Sequence, residues 1–72
     1  MTTKHFINIL KATNNIENFK NGLQYANENN KKIMDYTIYF DDYTLTITYH
    51  IFKKEIIKAE KFILKTREKT YV

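Results

Sequence analysis

The chain has 72 residues, a formal net charge of +4, no cysteine, no proline and a single glycine, Gly22. That length supports one domain spanning residues 1–72, near the size at which a lone hydrophobic core barely suffices. The composition excludes a disulfide framework, a cysteine-based zinc site and a glycine-rich phosphate loop.

The opening MTTKHFINILKATNN lacks the continuous apolar run of a signal peptide, and no later stretch reaches membrane-spanning length. The expected compartment is the cytoplasm. Ile, Lys, Asn, Tyr and Phe dominate the composition. Their codons are AT-rich, which points to a low-GC bacterium or to one of its phages or plasmids.

With Thr2 or Thr3 as N-cap, Phe6, Ile9, Leu10 and Thr13 recur at helical spacing, which predicts a short amphipathic helix to about Thr13. Asn14 and Asn15 interrupt the pattern. Asn14 followed by Glu17 has the spacing of a capping box, and Ile16, Phe19, Leu23 and Ala26 continue at helical spacing to about Asn29. Residues 3–29 therefore read either as two helices or as one kinked helix. Gly22 inside the second segment reads either as a tolerated weakness, at about 1 kcal/mol relative to Ala, or as a close backbone approach to another helix or to the strands. Asn29, Asn30, Lys31 and Lys32 form a polar connector in which asparagine takes the left-handed conformation that ends a helix.

From Ile33 to Phe52 the period changes to two. Met34, Tyr36, Ile38 and Phe40 alternate with polar residues on a first strand, and Tyr43, Leu45, Ile47, Tyr49 and Ile51 do so on a second. A two-residue turn at Asp41 and Asp42 pairs Phe40 with Tyr43, Ile38 with Leu45, Tyr36 with Ile47 and Met34 with Tyr49, so that every apolar pair shares a face. The opposite face is a threonine ladder with Tyr39 and His50 beside it.

Beyond Lys53, Phe52, Ile56, Ala59 and Ile63 fit a helical stripe, predicting a third helix to about Lys69. The fold class expected is α+β: a small single domain of order ααββα, its two-stranded antiparallel hairpin packed against helices. On that third helix Lys54, Lys58, Lys61, Lys65 and Lys69 would occupy one sector roughly 80° wide. Residues 53–69 hold seven basic and three acidic side chains, a balance equal to that of the whole chain.

No enzyme is expected. His50 and Asp35 lie diagonally on the outer hairpin face, but they have no nucleophile, third orienting group or pocket in the sequence pattern. No metal or cofactor set is visible. A basic amphipathic membrane helix is disfavoured because the small core needs the same apolar face.

The reading is therefore a non-enzymatic binding protein of a phage or mobile element that docks on a host protein or protein–nucleic acid complex. Inhibition of a defence or nucleic-acid-processing enzyme is one form of this, and anti-CRISPR proteins are one such class, although no motif matches a family. The alternative is a nucleic-acid-binding regulator whose lysine stripe meets the phosphate backbone. Partner-binding candidates are Lys54, Lys58, Lys61, Lys65 and Lys69 on the stripe, and Tyr39 and Thr46 on the hairpin. Because a bare hairpin has two free edges, a homodimer through a hairpin edge is a further expectation.

Overall fold

A computed structural model describes all residues, Met1–Val72. Helix α1 spans Thr3–Ala12 and α2 spans Ile16–Glu28, followed by strands β1 (Ile33–Tyr39), β2 (Tyr43–His50), β3 (Glu55–Ile63) and β4 (Glu68–Tyr71). The strands form one antiparallel sheet in the order β1-β2-β3-β4. The α+β class holds, but the order is ααββββ rather than ααββα.

The helices begin and end by local hydrogen bonding. Thr2 caps α1 by accepting the His5 N–H at 3.1 Å. At its other end the Asn15 N–H reaches back to the Leu10 carbonyl at 2.8 Å, with Asn14 at φ 58°. Helix α2 closes the same way: the Lys31 N–H meets the Ala26 carbonyl at 2.9 Å and Asn30 sits at φ 57°. Each asparagine occupies the left-handed position that glycine usually fills. Residues 3–29 are therefore two helices, and the capping box expected at Asn14 does not form. Asn15 is the N-cap position of α2, yet its side chain turns away. Its amide donates to Thr13 Oγ1 at 2.8 Å, and its carbonyl accepts the Tyr36 hydroxyl at 2.8 Å, tying the inter-helix turn to β1.

The hairpin register is the one the alternation predicts, with Ile38 opposite Leu45, Tyr36 opposite Ile47 and Met34 opposite Tyr49. At the turn the Phe40 N–H donates to the Tyr43 carbonyl at 2.9 Å, and neither Asp41 nor Asp42 has positive φ.

The expected third helix is a second hairpin, and its helical spacing has a physical cause. Between Thr48 and Tyr49 on β2 the partner jumps from Lys58 to Ile56, leaving Ile57 as a bulge. One extra residue converts the strand spacing of two into a spacing of three. Ile56 and Ala59 thus share the helix-facing side, Ala59 opposite Ile47 and Ile56 opposite Tyr49. Ile56, Ile57, Phe62 and Ile63 also suit a pleated surface, and the free edge of β2 supplies the template. Two four-residue turns, residues 51–54 and 64–67, end in left-handed Lys54 (φ 54°) and Arg67 (φ 59°).

Both helices lie on one face of the sheet. The core there joins Phe6, Leu10, Phe19, Ile38, Leu45, Ile47, Tyr49 and Ala59. Phe19 is its hub, meeting Phe6, Tyr36 and Tyr49 edge-on at 5.1, 5.3 and 5.6 Å between ring centroids. Such contacts add to area burial by about 0.5–1.5 kcal/mol each. Beyond the helices, Phe40 stacks on Tyr43 at 4.6 Å, and the Lys61 ammonium sits 4.3 Å from the Tyr43 ring centroid.

Two stability predictions follow from this packing. A Cβ added at Gly22 would lie 3.2 Å from Met34 Sδ, a close approach, but to the far end of an unbranched side chain. Because alanine is favoured over glycine in a helix by about 1 kcal/mol, Gly22→Ala should raise the urea midpoint, whereas the branched Gly22→Val should lower it. Burial raises the Tyr49 phenol above its ordinary value of 10.0. Its contribution is complete below pH 10.0 and is lost as the pH rises through the folded value. Tyr49→Phe should therefore flatten the alkaline fall in stability measured by denaturation.

Candidate functional site

Strand alternation sends half of every strand's side chains away from the helices, and nothing in the chain covers them. Successive rows across the sheet read Tyr39, Thr44, Phe62 and Lys69; then Thr37, Thr46, Glu60 and Tyr71; then Asp35, Thr48 and Lys58; then Ile33, His50 and Glu55. The centre is threonine and the margin is aromatic. Tyr39 is 80% exposed and Tyr71 68%, so both rings stand free for contact.

The polar groups of this face are organised among themselves. Thr37 and Thr46 share a hydroxyl–hydroxyl hydrogen bond at 2.9 Å, and Thr48 donates to the Asp35 carboxylate at 2.8 Å. The Lys58 ammonium lies 6.0 Å from the centre of the Tyr71 ring, at the outer limit of cation–π range. His50 Nδ1 accepts the Lys53 N–H at 3.2 Å, and the ring meets Phe52 edge-on. Asp35 and His50 are thus each engaged elsewhere and do not hydrogen-bond to one another. The face holds its side chains in place, and its chemistry is that of contact: hydroxyls, rings, two lysines and the carboxylates of Asp35, Glu55 and Glu60.

The seven candidates from the sequence separate. Tyr39, Thr46, Lys58 and Lys69 come together on this face. Lys54 and Lys65 sit in the two turns, and Lys61 lies on the helix-facing side opposite Leu45. The single lysine sector required a helix, and a strand sends alternate lysines to opposite sides. Phe62 was missed for the same reason, and Tyr71 joins it on the face. A period-two reading of Lys58, Glu60 and Phe62 would have found the face.

A concavity lies on the helix side, where Leu23, Asn27, Tyr49, Ile51, Phe52 and Lys54 border an open cleft of about 650 Å³. One lysine is its only charge, and no group of three or more His, Asp or Glu side chains gathers on the chain to hold a metal. No helix is long and apolar enough to cross a membrane.

Comparison with protein-family models, curated proteins and solved structures finds no match for the chain.

Because the rows are exposed or half-exposed, altering them should leave the fold intact. Tyr39→Ser and Lys69→Ser are each expected to change unfolding free energy by less than about 1 kcal/mol, measured by urea denaturation.

Proposed function

We propose that this chain is a small non-catalytic binding protein of a phage or other mobile element. It acts in the cytoplasm by laying the open face of its sheet on a host protein or protein–nucleic acid complex. An inhibitor of a defence or nucleic-acid-processing enzyme works in this way.

The observation that carries the reading is a four-stranded sheet face with no helix over it, threonine at the centre and Tyr39, Phe62 and Tyr71 at the margin. Tyrosine combines a large apolar ring with a polar tip and is favoured at protein interfaces. The accessible surface is 5385 Å², against about 4,700 Å² expected for a folded monomer of this mass. The excess, roughly 700 Å², fits a sheet roofed on one side only. Charge supports a protein surface over a bare phosphate backbone. Lys58 and Lys69 are offset on the same face by Asp35, Glu55 and Glu60.

A second reading has its own support. Exposed rings interleaved with Lys58 and Lys69 on an antiparallel sheet resemble the platforms on which single-stranded nucleic acid stacks. A regulator of that kind would use this face in place of a lysine helix.

Retention of a host macromolecule from lysate by the immobilised chain separates the two. On the leading reading the retained species is a protein, survives nuclease and moderate salt, and is lost with Tyr39→Asp or Thr46→Asp variants whose circular dichroism is unchanged. Retention that disappears with nuclease, fades as salt rises and depends on Lys58 and Lys69 would establish the nucleic-acid reading instead. Retention indifferent to all four positions would remove the open face as the site.

A further inference from the structure

Strand β1 is an edge of the sheet, and its seven residues Ile33–Tyr39 contain no proline, no lysine and no break in register. Proline, lysine and bulges are devices that keep natural edges from pairing, and the one charge on this edge is Asp35. Two hydrogen bonds fix which way its backbone points. The Phe40 N–H donates to the Tyr43 carbonyl at 2.9 Å, and the Ile51 N–H donates to the Lys32 carbonyl at 2.8 Å. In an antiparallel ladder the hydrogen-bonded pairs alternate, so Lys32, Met34, Tyr36, Ile38 and Phe40 direct their backbone groups at β2. Ile33, Asp35, Thr37 and Tyr39 direct theirs outward.

We infer that this edge pairs with the same edge of a second copy, antiparallel about a twofold axis at Tyr36, making one continuous eight-stranded sheet. Three centred registers bring outward residues opposite outward residues, with the axis at Asp35, Tyr36 or Thr37. An axis at Asp35 sets that carboxylate directly against its own symmetry mate, a destabilising like-charge pair. An axis at Thr37 leaves Ile33 beyond the partner strand. The axis at Tyr36 uses all four outward residues of each copy, placing Ile33 beside Tyr39 and Asp35 beside Thr37.

Charge and shape agree with that choice. The same register brings Lys31 level with Asp41 of the second copy, and twofold symmetry repeats the pair at the other end. Ile33 and Tyr39, 50% and 80% exposed in the single chain, become cross-strand neighbours. Between α2 and the edge a groove of about 440 Å³, bordered by Gly22, Tyr25, Ile33 and Asp35, gives room for the inward side chains of the added strand. The pairing also joins the two threonine faces into one surface. It stands apart from the docking reading, since self-association is measured without any host component.

Light scattering on the purified chain across a concentration series tests the pairing. The expected result is a species of twice the 8.7 kDa chain mass that reverts to monomer in Thr37→Pro, which removes an outward N–H and no intrachain one. Single charge reversals, Lys31→Glu or Asp41→Lys, should raise the dimer dissociation constant roughly threefold to tenfold, and the double reversal should restore it. A monomer at every concentration overturns the pairing. The register is tested in a chain with no cysteine of its own by Asp35→Cys, Tyr36→Cys and Thr37→Cys. Oxidative cross-linking through position 36 alone supports the axis at Tyr36. Cross-linking through 35 or 37 alone, or through none, overturns it.

Discussion

Two helices can roof only one side of this sheet. A helix with its side chains is about 10 Å across, and four strands at about 4.8 Å spacing make a sheet that α1 and α2 just span. Residues 1–72 place no segment on the other side. Every side chain of Phe6, Leu10 and Phe19 that enters the core is committed to the roofed face, and the strands must present to water whatever alternates with their core residues. Threonine answers that demand. Its branched carbon favours the extended backbone and its hydroxyl tolerates solvent or a neighbour, as Thr37 and Thr46 do at 2.9 Å.

The same constraint explains why an aromatic cluster sits at the centre of the core. With 9 of 72 residues buried, few side chains must supply most of the apolar burial, and large rings bury the most per residue. Phe19 touches a ring from α1, one from β1 and one from β2, so one side chain ties the roof to the sheet. Tyr36 adds a polar tether through Asn15. The capping signal read at Asn14 failed because Asn14 ends α1 in the left-handed conformation, leaving the N-cap position of α2 to Asn15.

The first hairpin and both helices were legible because each carries an uninterrupted period and clear ends. Alternation from Met34 to Tyr49 fixed a register that the structure reproduces pair for pair. Asparagine marked the helix ends in a chain almost without glycine. The second hairpin was hidden by a single residue. Ile57, bulged opposite the Thr48/Tyr49 step, shifts the phase so that Ile56 and Ala59 mimic a helical stripe. The candidate site inherited that error: Lys58 and Lys69 stayed together while Lys61 moved to the opposite side, and Phe62 entered unannounced. What no local pattern carried was the competition between a helix at residues 55–63 and the unsatisfied edge of β2, which is a tertiary preference.

Strand order and chain order coincide throughout, β1 beside β2 beside β3 beside β4. Each pairing closes a short loop, and the two helices likewise adjoin in sequence, so little chain entropy is lost before contacts form. A meander of this kind can zip from either hairpin. The one long-range event is the descent of the helical layer, when Phe6 and Leu10 reach a sheet whose Ala59 lies some fifty positions further along. Until that step the hairpins have no covered face, so the sheet is a platform before it is a core. The docking of α1 and α2 is therefore the step that closes the longest loop in this chain.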